Sequence, residues 1–418
     1  MRIRIRNIGK IVDADIQIKG ITVIGGKNGT GKSTVSRALF SMFNSFHEYE
    51  TQIRRERILS IERYVEDPVF ASELAEKSVY RDNPKAIADL LSSIHVDNED
   101  DGLFHEVESN SNEEKAAAIL EIIKVPDQAI LKRLIDRCFS AEFNGQVLNI
   151  YTEEKAFVGL SIKDKTISVG LGAGTADVRG EFELQKNAIY IDDPFIIDSL
   201  VQRDWRLKSG TSYSHRFNLL SVLNDRADRD AVSSIISSKK LETINRKLDS
   251  ICTGYILRDA KANGFSRLSN PSISYIEKMP EKKLRLSNLS SGLKTFVLLK
   301  MLIENGALED NGVMIFDEPE IHLHPEWQLV LAELIVLIQK EFDMHILVNT
   351  HSPYFIDAIE AYSAKHGIED KCMFYLASER DGVASFEDVS NAVDRVYELL
   401  AAPFQHLESV RSGGDGEI

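Results

Sequence analysis

Hydrophobic and polar residues change their period several times along this chain, and each change predicts an element. Arg2-Ile3-Arg4-Ile5-Arg6 alternates strictly, the period of a strand with one buried face. Residues 14–18 repeat the pattern, and Ile21-Thr22-Val23-Ile24 is a short apolar strand that runs into glycines. Beyond the glycines, Val35, Ala38, Leu39, Met42, Phe43 and Phe46 recur three and four apart, which is one face of an amphipathic helix. From 47 to 140 the chain is polar and helix-leaning, broken by the acidic stretch Asp97–Glu114, which reads as a loop. Asn144-Gly145 reads as a hairpin turn. The alternating stretches Val147–Tyr151, Phe157–Ile162 and Thr166–Val169 after it predict an antiparallel sheet.

Ala188-Ile189-Tyr190-Ile191 is another apolar strand, stopped by Asp192-Asp193-Pro194. Residues 200–265 are again helix-rich. Leu241, Ile244, Leu248 and Ile251 keep heptad spacing for only two heptads, too few for a long coiled-coil arm. In the last third, strands at Val313–Phe316, His345–Val348 and Cys372–Leu376 alternate with helices near Trp327–Ile338 and after Pro353, the order of parallel α/β units. The glycine-rich end, Ser412 to Gly416, reads as a flexible tail.

Composition narrows the setting. Hydrophobic residues make up 43% and charged residues 28%, which suits a soluble core-forming protein. No apolar run approaches the roughly 20 residues of a membrane span, and the N-terminus has no apolar leader, so a cytoplasmic protein without a membrane partner is expected. Cys138, Cys252 and Cys372 are too far apart for a disulfide framework or a zinc set. The net charge of −15 does not advertise nucleic-acid binding, although residues 1–40 carry eight basic residues against two acids.

Two segments carry chemistry on their residues alone. Gly26-Lys27-Asn28-Gly29-Thr30-Gly31-Lys32-Ser33, with Thr34 behind it, fits the P-loop pattern between a predicted strand and a predicted helix. Glycines let backbone N–H groups turn toward phosphate oxygens; Lys32 supplies a cation to the β- and γ-phosphates, and the Ser33 hydroxyl ligates Mg2+. The helix that follows aims its positive end at the same anion. Val313 to Phe316 then delivers Asp317 and Glu318 at a strand end, where ligands sit in open α/β sheets. Asp317 is placed to hold Mg2+ and Glu318 to polarise an attacking water. Glu320 to Pro325 contains His322 and His324 two apart, a spacing that does not suit a helical metal pair.

Leu289-Ser290-Ser291-Gly292-Leu293-Lys294 resembles the signature of ABC-class ATPases, with Ser291 in place of the usual first glycine. Thr350-His351-Ser352-Pro353 resembles the switch histidine of that class. Together with Asp-Glu-Pro-Glu and His-Leu-His-Pro, these motifs are similar to the RecF/SMC-type and OLD-type ATPases, and to AAA-family ATPases of bacterial antiphage-defence systems of the Septu or retron-associated type. The resemblance covers roughly residues 1–46 and 283–376. It implies an α/β, ABC-type ATPase head with a mixed sheet, an antiparallel β subdomain, helical insertions and no long coiled-coil arm. The implied segments are 1–46 with the P-loop, a helical insertion over 47–140, an antiparallel part over 141–199, a second helical insertion over 200–270, 271–408 with the signature, Asp317, Glu318 and the switch His351, and a tail over 409–418.

The resemblance also implies ATP and Mg2+ as cofactors. Lys32, Glu318 and His351 would be catalytic and Ser33 and Asp317 metal-binding; Ser290, Ser291 and Gly292 would grip the γ-phosphate held by a second copy of the chain. Relatives sense nucleotide through a glutamine loop; here Asp193 stands in its place. Many relatives add a Toprim nuclease with a paired-aspartate motif, and no Asp-x-Asp follows His351, so any nuclease or toxin is expected to be a separate effector. The expected function is a homodimeric ATPase acting as sensor or regulator of a defence or DNA-transaction complex. Two alternatives stay open: a DNA-repair ATPase that binds DNA directly through Arg2, Arg4 and Arg6, with an edge-strand role for these arginines as the plainer account, and a transporter's nucleotide-binding subunit.

Overall fold

The computed structural model describes residues 1–64, 105–152, 154–172, 176–180, 183–201, 213–224, 231–258, 273–278 and 281–411. They form two compact units, one of residues 1–44, 137–182 and 186–418, the other of 45–136 and 183–185.

The first unit is organised by one sheet. Strands β1 (Arg2–Ile8), β2 (Ile11–Gln17) and β3 (Ile21–Gly26) come first, and α1 (Lys32–Phe46) follows the glycines. Ile3 and Ile5 are fully buried while Arg2, Arg4 and Arg6 face out, as the alternation predicts. β3 is buried at all six positions. Val35, Ala38, Leu39, Met42, Phe43 and Phe46 of α1 are all buried, so the helical stripe was correctly placed.

The second unit holds α2 (Tyr49–Ile61), α3 (His105–Lys124) and the start of α4 (Asp127–Glu142). The acidic stretch expected as a loop is helical from His105 onward; 97–104 lie outside the described residues. Glutamates and the Ala116-Ala117-Ala118 run favour helix, and Ala116, Ile119, Leu120 and Ile123 supply a buried stripe. Arg57, nearly buried, donates to Val125 O at 2.6 Å and to Asp127 Oδ1 at 2.8 Å. It thereby ties α2 to the turn between α3 and α4.

Asn144-Gly145 is not a hairpin turn. Both residues have positive φ, 50° and 78°, and Gly145 N donates to Ser140 O, so the pair ends α4 as a left-handed C-terminal cap. Residues 147–151 are not a strand either. Leu148 makes a single bridge to Ile8, because β4 (Ala156–Ile162) already pairs with β1 from Arg2 to Arg6. β4 continues antiparallel to β5 (Lys165–Leu171) and β6 (Asp177–Arg179), and β7 (Ala188–Ile191) follows.

Helices α5 (His215–Asn224) and α6 (Ala231–Asp249) occupy the stretch expected as a second insertion, which also yields β8 (Tyr255–Arg258). Their Leu219, Leu223, Leu241, Ile244 and Leu248 pack into the same core as the last third of the chain. β8, β9 (Ile273–Lys278) and β10 (Glu281–Arg285) form a separate three-stranded antiparallel sheet. After it come α7 (Ser291–Glu304), β11 (Val313–Asp317), α8 (Pro325–Phe342), β12 (His345–Thr350), α9 (Pro353–His366), β13 (Cys372–Arg380), β14 (Val383–Asp388) and α10 (Asp394–Arg411).

The main sheet has eleven strands in the order β6-β5-β4-β1-β2-β14-β13-β3-β12-β11-β7. Neighbours from β13 to β7 run parallel, and the β6-to-β2 side is antiparallel. β1 is therefore an interior strand, which removes the edge-strand reading of its arginines. Arg2 meets Asp15, and Arg4 and Arg6 meet Asp13, across the pair with β2. Among the described residues no helix is long and apolar enough to cross a membrane, and no disulfide joins the three cysteines.

Candidate functional site

β3, β12, β11 and β7 are parallel neighbours and end on one edge of the sheet, which gathers four connecting loops there. The first is the glycine-rich loop after β3. Gly29 and Gly31 have φ of +79° and +85°, and a Cβ on Gly31 would sit 3.1 Å from Ala384 Cβ. The conformation therefore favours glycine at Gly31, and the space beside it is tight. Lys32 opens α1, is 4% exposed, and donates from Nζ to Gly26 O and Lys27 O at 2.8 Å each. Burial lowers its pKa, against the charges of Glu318, Asp317 and Glu320. Its ammonium is thus held over the loop by carbonyls alone, contacts that an anion can replace.

The second loop follows β11 and brings the carboxylates. Asp317 Oδ1 accepts from Ser33 Oγ at 3.2 Å and from Asn349 Nδ2 at 2.9 Å; Oδ2 accepts from the Tyr190 hydroxyl at 2.8 Å. Glu318 has φ +52°, and its N–H donates to Asn349 O at 2.9 Å. A glutamate in the left-handed region is strained, and such strain collects at working sites.

Glu320, 4% exposed, accepts from Thr350 Oγ1 at 2.5 Å and from His351 N at 3.0 Å. Burial raises its pKa, while those hydrogen bonds oppose the rise. His351 Nδ1 lies 3.7 Å from Glu318 Oε1 and 3.6 Å from Glu320 Oε1. The structure thus gathers Lys32, Ser33, Asp317, Glu318 and His351, expected from distant motifs, at one edge.

A cavity of about 440 Å3 lies over the glycine-rich loop, lined by Lys10 and residues 28 to 34, with Glu318 on one side and Gln146, Leu148, Ile150 and Tyr151 on another. Ile150 is 83% exposed and Tyr151 69%. Asn149 fixes this lip: its N–H donates to Asn7 O at 2.9 Å, and its Oδ1 accepts from Tyr151 N at 2.8 Å.

Ser290, Ser291 and Gly292 do not line that cavity. Ser290 caps α7 by accepting from Leu293 N at 3.4 Å. A Cβ on Gly292 would meet the Trp327 ring at 2.9 Å, which is a packing reason for that glycine. Lys294 is buried and paired with Asp198 Oδ2 at 2.6 Å. His322 packs edge-on to Phe195, and His324 caps α8 by accepting from Glu326 N. Asp193 accepts from Phe195 N at 2.8 Å, which occupies Oδ1 in a local turn.

Tyr190, Asn349 and Glu320 were not expected as site residues. Tyr190 lies inside an apolar run and Asn349 and Glu320 inside motifs read for their neighbours; a polar group near the end of a parallel strand is the available signal for Tyr190 and Asn349, while Glu320 lies in the loop beyond β11. Glu142 and His215, which back Tyr190, left no sequence signal.

Residues 197–356, which include Asp317, Glu318 and His351, match the family model described as AAA ATPase domain. The chain is 22% identical over 298 residues to "Retron Ec83 probable ATPase" of Escherichia coli, covering 70% of this chain and 50% of that protein. It is 26% identical over 139 residues to "Retron Vc95 probable ATPase" of Vibrio cholerae, covering 31% of this chain and 26% of that one. The chain thus spans half or less of the length of these curated relatives. Among solved structures, the SMC head domain from Thermotoga maritima aligns over 93% of this chain and 98% of its own, at 12% identity and a TM-score of 0.42. The chain carries a segment similar to the AAA ATPase domain family and is related in sequence to retron-associated ATPases.

Proposed function

We propose that this chain binds ATP with Mg2+, hydrolyses the γ-phosphate, and closes as a homodimer to regulate a separate effector, a nuclease or toxin, in prokaryotic antiphage defence. The observation that carries the reading is the convergence of Ser33, Asp317 and Asn349 beside Lys32, with Glu318 at the lip of the same cavity. The relatedness to retron ATPases supports the defence setting.

Lys32 exchanges its two carbonyl partners for phosphate oxygens, and the N–H groups at the start of α1 face the same charge. A hydroxyl and a carboxylate oxygen 3.2 Å apart are hard oxygen donors that suit Mg2+. When bound, Mg2+ neutralises charge between the β- and γ-phosphates. Glu318, its backbone pinned to Asn349, orients and deprotonates the attacking water. His351 stands between Glu318 and Glu320, and we assign it to the γ-phosphate. Ile150 and Tyr151 offer the apolar faces that cover a nucleobase.

Ser290 to Gly292 lie outside this cavity, and we assign them to the γ-phosphate of a second copy. The test is particle size with and without ATP. Glu318→Gln should keep ATP affinity, lose hydrolysis by about 1000-fold, and run as a dimer only with ATP. Lys32→Ala should weaken ATP binding by about 100-fold and stay monomeric. A Glu318→Gln protein that binds ATP and remains a monomer would falsify the dimer, and an unchanged affinity in Lys32→Ala would remove the ATP site itself.

A further inference from the structure

Asp317 has one oxygen turned toward Ser33 and the other held by Tyr190. Tyr190 is 1% exposed, and its hydroxyl donates to Asp317 Oδ2 at 2.8 Å. Behind it lies His215, its ring stacked on Tyr190 with centroids 4.2 Å apart and planes at 28°. Phe40 packs against both rings, at 6.1 and 6.0 Å.

His215 is itself gripped from two elements. Nδ1 meets Glu142 Oε2 at 2.7 Å, at the end of α4, and Nε2 lies 3.1 Å from Asp192 Oδ2, just past β7. Arg216 holds the same Asp192 oxygen at 2.9 Å. Glu142 has no exposed side-chain area, and His215 has 10%. A buried carboxylate, Glu142, and a partly buried one, Asp192, around one imidazole make the charged ring the stable form. A cation stacked on a phenol face draws density from the ring and strengthens the hydroxyl as a donor.

We propose that Tyr190 is a positioning residue for the Asp317 carboxylate, and that the Glu142–His215–Asp192 cluster behind it holds Tyr190 in its donating orientation. With Oδ2 occupied, Asp317 presents Oδ1 toward Ser33, so the metal-binding oxygen is chosen before nucleotide arrives. The same cluster anchors α5 to the sheet edge. This rests on the reading of Asp317 as a metal ligand; Tyr190 touches neither nucleotide nor metal.

The test is Mn2+ binding to the protein saturated with a non-hydrolysable ATP analogue, followed by electron paramagnetic resonance. Tyr190→Phe keeps the stacked ring and removes only the hydroxyl. It should weaken Mn2+ by about tenfold, the worth of one hydrogen bond to a charged group, while analogue affinity in EDTA stays at the wild-type value. Hydrolysis should need more Mg2+ for half-saturation and recover at high Mg2+. In an Asp317→Asn background, Tyr190→Phe should add nothing. If Tyr190→Phe does not fold, His215→Gln, which leaves the hydroxyl in place, should weaken Mn2+ in the same direction. Unchanged Mn2+ affinity in the folded variant overturns the inference and leaves the ATP reading standing. Wild-type protein that binds the analogue but shows no nucleotide-dependent Mn2+ site overturns both.

Discussion

Arg2, Arg4 and Arg6 on β1 and the buried cations Lys32, Lys294 and His215 all have acceptors close by, yet the two groups do different work. The arginines lie on the open face of β1, each about half exposed or more, and share Asp13 and Asp15 of β2. Water and salt compete for every one of those contacts. Lys294 and His215 are largely shielded from such competition, and Lys32 meets it only from the cavity over its loop. Lys32 is held by two loop carbonyls, Lys294 by Asp198 and the Phe195 ring 4.5 Å away, and His215 by Glu142 and Asp192. Lys32 holds the glycine-rich loop to itself, while Lys294 and His215 each tie a helix to another part of the first unit. A charge in that position is costly unless its partners are in place, so it fixes geometry where an exposed pair does not.

Breaking the buried side of this comparison should give the largest effect. Asp198→Ala leaves the Lys294 ammonium enclosed without its carboxylate, and the expected cost is about 4 kcal/mol, read by denaturant unfolding. Adding Lys294→Met should recover most of that loss, since a well-packed apolar side chain replaces a buried pair at little cost. If the single variant unfolds like wild type, Lys294 is not held as described.

The next effect is pH-dependent. Burial by itself would lower the His215 pKa, but the Asp192 and Glu142 contacts outweigh it and raise the value from 6.5 to about 9. A raised folded-state pKa contributes stability in full below pH 6.5, and that contribution is lost as pH climbs through about 9. The loss should amount to about 3 kcal/mol. Unfolding free energies measured across that window should slope downward in wild type and flatten in His215→Gln. A slope that survives the substitution would assign it to another group.

The smallest effect belongs to the arginines. Arg4→Ala or Arg6→Ala should each lower stability by less than about 1 kcal/mol, a difference that vanishes in high salt. A loss several times larger, insensitive to salt, would put the exposed ladder on the same footing as the buried cations.

Much of the site was legible because its parts are short and contiguous. Gly26 to Thr34 needs glycines at fixed offsets to turn backbone N–H groups inward, and no tertiary partner is required for that pattern to show. Asp317 and Glu318 were legible because an apolar strand ending in acids has few readings. Asn144-Gly145 misled, because left-handed residues serve a helix end as well as a hairpin. Residues 147–151 misled because their alternation is that of a strand, while β4 had taken the available edge of β1. The arginine strand was taken for an edge because alternation says which face is wet and nothing about neighbours.

By itself, then, the order of residues determined the α/β class, the strand and helix periods, the glycine-rich loop and the carboxylates at the end of β11, since each is written within one or two turns of chain. Only the tertiary structure decided that Asn349 and Tyr190 grip Asp317, that Glu142 and His215 stand behind Tyr190, and that Ile150 and Tyr151 rim the cavity. Those hydrogen bonds join positions up to 127 residues apart. Hydrogen bonds and burial act through space, and the sheet order that brings these strands together is a property of the whole packed core.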